Sequence, residues 1–154
     1  MILPQFYTDD IIKRAILEDI NYVDVASDYL ISEEQRDEAY FVSKADGVLC
    51  GIDVAMRVFE LLDDSFTAKV YMHDGDKVKK GDLIAEFSGK TTLLLKGERT
   101  ALNLLQHMSG IATATAKAVK LCEGTKASIA DTRKTLPSLR ALQKYAVTLS
   151  LIHI

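Results

Sequence analysis

The sequence predicts an α+β fold that closes on the opening β-α step of a parallel arrangement. Three observations carry this reading. Residues 66–95 form a block of short apolar runs punctuated by Gly75, Gly81 and Gly89, the spacing of a small, tightly turned β-structure. Ala101, Leu104, Leu105, Met108, Ile111, Ala112, Thr115 and Val119 then fall on one helical stripe that ends near Glu123-Gly124. Finally "KASIAD" at 126–131 reads as a short strand, and Pro137 stands where a following helix through Leu139, Leu142 and Val147 begins. At 154 residues and 48% apolar composition, the chain can bury a core, with one domain as the default count.

Taken in order, a first helix is expected from Thr8 as N-cap, with Asp9 and Asp10 in the first turn where the macrodipole favours acids. Ile11, Ile12, Ala15, Ile16 and Ile20 recur behind it at helical spacing. Residues 21–31 read as irregular and 33–38, "EEQRDE", as a solvated charged stretch. "AYFVSKADGVLCGI" gives a strand, an Asp46-Gly47 turn and a second short strand; "DVAMRVFELLD" is helical, with Val54, Val58, Leu61 and Leu62 on one face. "FTAKVYM", "LIAEFSG" and "TTLLLK" read as short strands, and the long helix is expected to follow Gly97. There are no repeats and no low-complexity linker.

The charged fraction of 27% is mixed in sign and sums to −3, which argues against broad nucleic-acid binding but leaves room for a local cationic pocket. Cys50 and Cys122 are the two cysteines and form no CxxC pattern, so neither a zinc site nor a disulfide framework is implied. "MILPQFYTDDIIKR" lacks the basic start and apolar run of a signal peptide, and no run approaches the ~18 apolar residues of a membrane helix. These features predict a soluble, cytoplasmic protein.

Two groups of residues are candidates for chemistry. Arg99 is expected in the first turn of the long helix, where a cation is disfavoured. It is either a solvated partner of Glu98 or a group aimed at an anion with help from the helix-terminal N–H groups. Thr132, Arg133 and Lys134 follow a strand end that feeds a helix, the edge where α/β folds bind ligands. Arg grips a carboxylate or phosphate bidentately, Lys adds a point charge and Thr a hydroxyl, although a solvated basic loop fits the spacing equally. His73, His107 and His153 are scattered without metal-ligand spacing, and Asp74-Gly75-Asp76 reads as a turn, not a calcium loop. No dinucleotide, Walker or nucleophile-elbow motif is present.

"GERTALNLLQHMSGIATATAKAV" and "ADTRKTLPSLRALQKYAV" together resemble the nicotinate-nucleotide pyrophosphorylase, or quinolinate phosphoribosyltransferase, family. "DGVLCGIDVAMRVFELLD" and "GDKVKKGDLIAEFSG" look like the same family's N-terminal region, so the resemblance covers roughly residues 8–147. It implies transfer of phosphoribosyl from phosphoribosyl pyrophosphate to quinolinate, with release of carbon dioxide and pyrophosphate and formation of nicotinate mononucleotide for NAD biosynthesis. Mg2+ bound with phosphoribosyl pyrophosphate is the implied cofactor. The implied fold is an N-terminal α/β sandwich over 1–110, with barrel-sandwich-like strands and flanking helices. A linking helix and the first β-α unit of a truncated α/β barrel would occupy 111–154. Arg99 matches the arginine that reaches the neighbouring subunit's quinolinate pocket in a homodimer, and Thr132, Arg133 and Lys134 match the family's substrate-binding run.

Beyond "KYAV" the family continues into a glycine-rich stretch and an Asn-His-Arg motif, whereas this chain reads "TLSLIHI". His153 lacks matching neighbours and is not that histidine. The segment "YVDVAS" also departs from a Gly-Asp-Ile-Thr-like family pattern. A complete barrel takes on the order of 200 residues. The expectation is therefore an N-terminal fragment, from a frameshift, a premature stop or a truncated record, that is inactive alone. Two other readings stand beside it: a family paralogue with a different acceptor, and a biotinyl/lipoyl-like binding module suggested by "GDKVKKGDLIAEF".

Overall fold

The chain forms α1 (Gln5–Asp19), α2 (Val25–Leu30), β1 (Arg36–Val42), β2 (Gly47–Val48), α3 (Ile52–Leu62), β3 (Thr67–Val70), β4 (Lys77–Val78), β5 (Leu83–Lys90), α4 (Thr91–Cys122) and α5 (Arg140–Ile152). This is a computed structural model, and it describes residues 3–20 and 25–152. β1, β5 and β3 make an antiparallel sheet in the order β1-β5-β3, and β2 pairs with β4 in a separate antiparallel ribbon. The result is a sheet domain flanked by helices.

The sheet's inner face supplies Phe41, Ala85 and Phe87, all buried against α3 and α4. Phe59 of α3 stacks on Phe87 at a 5.0 Å centroid separation and on Phe66 at 5.3 Å, while Phe41 meets Phe87 edge-on at 4.9 Å. Rings at these separations add to the area they bury. The outer face is polar: Thr67 faces Ser88, with their hydroxyls 2.9 Å apart, and the Tyr71 hydroxyl donates to Glu86 at 2.6 Å.

α4 runs for 32 residues and touches both sheets and most of the helices. Its stripe Thr91, Leu94, Gly97, Ala101, Leu104, Leu105, Met108, Ala112, Thr115 and Val119 is buried. The stripe starts earlier than Ala101, so "TTLLLK" is the helix's opening and not a strand. Gly97, a poor helix former by about 1 kcal/mol, is kept inside the helix by packing: a Cβ there would lie 2.8 Å from the Phe59 ring. The hydroxyls of Ser109 and Thr113 accept the N–H groups of Cys50 and Val48 at 3.0 and 2.9 Å, which pins the β2 ribbon to α4. Gly51 has φ +95 with Met108 directly above it, so both conformation and space require glycine there.

Several other expectations are corrected. α1 begins at Gln5 with Pro4 as N-cap, and Thr8 is a buried position inside it whose hydroxyl donates to the carbonyls of Pro4 and Gln5. Residues 36–38 of the charged stretch belong to β1, because Arg36 and Asp37 pair with Lys90 and Gly89 while their side chains face water. Residues 25–30 are helical; 21–24, with part of "YVDVAS", lie outside the described residues. No strand forms over 126–131, since no neighbouring strand offers it a ladder, so the barrel's first β element is not present as a paired strand. α5 starts at Arg140, not at Pro137, after Ser138 takes φ +65.

The start of α4 depends on a buried carboxylate. Asp63 Oδ1 accepts the Ser65 N–H at 2.9 Å and the Ser65 hydroxyl at 2.6 Å, and Oδ2 accepts the Lys90 N–H at 2.8 Å. Burial pushes this carboxyl up, but the Ser65 and Lys90 hydrogen bonds outweigh it and hold the group below the usual carboxylate range. A depressed folded-state value contributes stability above the unfolded carboxylate range, and that stability is lost as pH falls through it. Asp63→Asn is expected to cost about 1–3 kcal/mol at neutral pH. Urea unfolding from neutral pH down to about pH 3 should show the gap between wild type and variant closing on acidification; a gap independent of pH would refute this assignment.

Candidate anion-binding site

Between α4 and α5, residues 123–139 have no regular helix or strand. The segment leaves α4 through Thr125, whose N–H and hydroxyl both bond the Cys122 carbonyl, at 3.1 and 2.7 Å. At its centre, Asp131 Oδ1 accepts the Thr132 N–H at 2.6 Å, and Thr132 Oγ1 accepts the Lys134 N–H at 3.1 Å. Thr132 therefore still has its hydroxyl hydrogen to donate. The three side chains Thr132, Arg133 and Lys134 are exposed, and neither cation has a hydrogen-bond or ion-pair partner among the described residues.

The first turns of α5 hold this loop by its backbone and its acid. Arg140 donates from Nε to Thr135 Oγ1 at 3.1 Å and from Nη2 to the Arg133 carbonyl at 3.4 Å. Gln143 Oε1 accepts the Leu136 N–H at 2.9 Å, and Lys144 pairs with Asp131. The Lys144 ammonium beside it holds the Asp131 carboxyl below its ordinary range, so that acid is ionised and already matched. What residues 132–134 leave unmatched is a guanidinium, an ammonium and a hydroxyl donor, a set suited to carboxylate or phosphate oxygens.

Arg99 is placed differently from its expectation. Because α4 starts at Thr91, Arg99 lies in the third turn and not among the free N–H groups of the helix end. Its side chain is 74% exposed and pairs with Asp19 of α1 at 2.8 Å. No hydrogen bond or ion pair joins it to residues 131–136 among the described residues, so this chain does not bring the four predicted residues together. Among the described residues no three His, Cys, Asp or Glu side chains gather to hold a metal ion.

A carboxylate that sequence reading treated only as part of a turn has a larger role. Asp74 Oδ1 accepts the N–H groups of Gly51 and Ile52, at 2.7 and 2.9 Å, and so satisfies the start of α3 from across the chain. Its Oδ2 accepts the Tyr145 hydroxyl at 2.9 Å, which ties α5 to the same point. Burial first, then the Asp74 charge, raises Tyr145, which stays a neutral donor. The same two causes push the buried Cys50 thiol up, so it is no thiolate nucleophile at neutral pH. Only the three-dimensional path of the chain links residues this far apart in sequence. A cleft of about 600 Å³ runs beside Tyr145 between Asp53, Arg57, Phe66 and Val70, and one of about 640 Å³ lies beneath residues 41–49; neither is lined by the four predicted residues.

A helix-flanked sheet domain, joined by one long helix to a loop whose Arg133 and Lys134 have no partner among the described residues, defines an α+β protein with a candidate anion site. The chain belongs to the quinolinate phosphoribosyltransferase family. Residues 24–109 match the family model "Quinolinate phosphoribosyl transferase, N-terminal domain", and 111–150 match its C-terminal-domain counterpart. It is 42% identical over 137 residues to the probable nicotinate-nucleotide pyrophosphorylase [carboxylating] of Bacillus subtilis, covering 89% of this chain and 47% of that protein. It is also 42% identical over 144 residues to the Mycobacterium leprae nicotinate-nucleotide pyrophosphorylase [carboxylating], covering 90% of this chain and 50% of the relative. The crystal structure of NadC from Streptococcus pyogenes superposes with a TM-score of 0.93 at 38% identity, over 98% of this chain and 54% of that one. The chain thus spans about half the length of the curated relatives it matches. Family membership also accounts for "GDKVKKGDLIAEF", which forms β4 and the first part of β5 and needs no carrier module to explain it.

The exposed Arg99–Asp19 pair belongs to the class of surface ion pairs that contribute roughly 0–1 kcal/mol. Arg99→Ala is expected to leave the chemical-denaturation midpoint of the 154-residue chain within that range. A loss above about 2 kcal/mol would show that Arg99 is a structural residue and not a free surface cation.

Proposed function

We propose that this chain supplies the N-terminal half of a quinolinate phosphoribosyltransferase, which joins quinolinate to the phosphoribosyl group of phosphoribosyl pyrophosphate. The pyridine nitrogen displaces pyrophosphate at the sugar carbon, the ring carboxylate next to that nitrogen leaves as carbon dioxide, and a proton takes its place, giving nicotinate mononucleotide. Supporting this is one observation above all: in a chain of this family, Arg133 and Lys134 stand exposed beside the Thr132 hydroxyl with no acid of their own. Quinolinate carries two adjacent carboxylates, and this donor set answers them with one bidentate fork, one point charge and one hydroxyl.

In this reading Thr132, Arg133 and Lys134 bind substrate, and Arg99 completes a neighbouring subunit's site across a homodimer, which fits its exposure and its distance in the fold from its own loop. The sheet domain is assigned to 1–110, and 111–154 to the linking helix and the start of a catalytic barrel. The protein is placed in the cytoplasm. Mg2+ enters as part of the phosphoribosyl pyrophosphate substrate; no residue of this chain is assigned to it and no step is routed through it. Catalysis by this half is positioning and charge matching, with Thr132, Arg133 and Lys134 as the donors.

Titration calorimetry on the 154-residue chain should detect quinolinate binding. Arg133→Ala and Lys134→Ala should each weaken it about tenfold or more, the worth of a charge-assisted hydrogen bond. Equal affinity in wild type and both variants would remove these residues from the site. Mixed with both substrates and Mg2+, the chain alone is expected to form no nicotinate mononucleotide, and measurable product would overturn that division of labour.

A further inference from the structure

His107 and Gln143 carry no role in the reaction described above, yet together they form a polar link from α4 through α5 to the cationic loop. Gln143 Nε2 lies 2.9 Å from His107 Nε2, and Gln143 Oε1 lies 2.9 Å from the Leu136 nitrogen. Leu136 N–H is a donor and nothing else, so the Gln143 carbonyl must face it. The amide NH2 is thereby turned toward His107, and His107 Nε2 must present a lone pair, which leaves its hydrogen on Nδ1. One rotation of the amide would place two donors face to face at Leu136. The orientation of each group thus follows from the next, from an imidazole on α4 to a backbone N–H two residues past Lys134.

We infer that Gln143, held by the neutral Nδ1–H form of His107, is a positioning residue that sets the 132–136 loop for anion binding. The loop has no strand ladder to define its path, and Ser138 at φ +65 lies between it and the helix. Its placement rests on side chains of α5. Of these, Arg140 and Lys144 hold the loop from an exposed surface, whereas the Gln143 contact to His107 is partly buried and reaches a second helix. Leu142 and Ala146 on the same helix are buried, so α5 itself is a fixed base. The role assigned to Gln143 in anion binding rests on the substrate reading proposed above.

The test uses the 154-residue chain labelled with 15N, comparing wild type with Gln143→Leu, Gln143→Glu and His107→Leu. Imidazole nitrogen shifts should report His107 protonated at Nδ1 in the wild type. Gln143→Leu should speed exchange of the Leu136 amide by about fivefold or more and weaken quinolinate by a similar factor, the worth of one hydrogen bond. Gln143→Glu keeps the acceptor for Leu136 and should restore its slow exchange but not quinolinate affinity, because it lacks the donor to His107 and adds a negative charge at the base of the loop, while His107→Leu should give an intermediate loss of both. Unchanged Leu136 exchange in Gln143→Leu, or His107 protonated at Nε2 in the wild type, would overturn the inference. So would faster exchange with unaltered quinolinate affinity, which would mark Gln143 as merely structural. If quinolinate shifts no amide of residues 131–136 in the wild type, the substrate reading and the anion-binding role fall together, and the exchange and tautomer data then decide the loop linkage alone.

Discussion

The close approach of α4 to α3 at Gly97 is the constraint on which the remaining contacts depend. With the Phe59 ring 2.8 Å from where a Cβ would be, the two helices pack backbone against side chain. That brings the aromatic cluster of Phe41, Phe59, Phe66 and Phe87 under the sheet. It also sets the rotation of α4, and with it the direction in which every later residue of the helix points. Ser109 and Thr113 can then meet the β2 ribbon on one side, while Ala112 accepts the Ser150 hydroxyl of α5 on another, at 2.8 Å. Overpacking at such a contact costs on the order of 1–3 kcal/mol, and here it would be felt along the whole helix.

Both ends of α4 are governed by polar groups outside it. The Lys90 N–H just ahead of the helix meets Asp63, the Thr91 N–H donates to the Gln35 carbonyl at 3.0 Å, and the Thr91 hydroxyl donates to Asp37 at 2.6 Å, so the helix begins where two acids from separate elements converge. Neither is a residue of the helix, which is why α4 has no N-cap of its own: Lys90 makes no side-chain cap. Its other end passes into the loop through Thr125. A single rod therefore carries the geometry of the sheet domain to the place where the cations stand.

Periodicity and turn chemistry made most of the elements legible in the sequence. The stripe from Ala101 to Val119, the helix of residues 52–62 and the glycine-separated strands all follow from local rules. The errors fall where distant contacts override local ones. "TTLLLK" has the look of a strand, and Gly97 the look of a boundary, until Phe59 is placed beside them. Arg36 and Asp37 look like solvent-facing charges, which they are, but their backbone belongs to a ladder with β5. "KASIAD" has strand character and no partner strand. The cationic run at 132–134 could be found from sequence, because adjacent unlike donors after an apolar approach are uncommon. The acids that organise the fold, Asp63 and Asp74, could not, since each also binds groups 22 to 71 residues away.

Asp74 has one consequence for how the molecule comes apart. One of its oxygens serves the first turn of α3 and the other serves Tyr145 of α5, so the turn between β3 and β4 is shared by two helices far apart in the sequence. α5 cannot peel away without giving up the Tyr145 bond and exposing the carboxylate that serves the start of α3. Residues 51–52 and Tyr145 are thereby tied through one side chain, so loss of Asp74 would weaken both attachments. The cationic loop leads directly into α5, so one of its ends is held by a helix that Asp74 anchors.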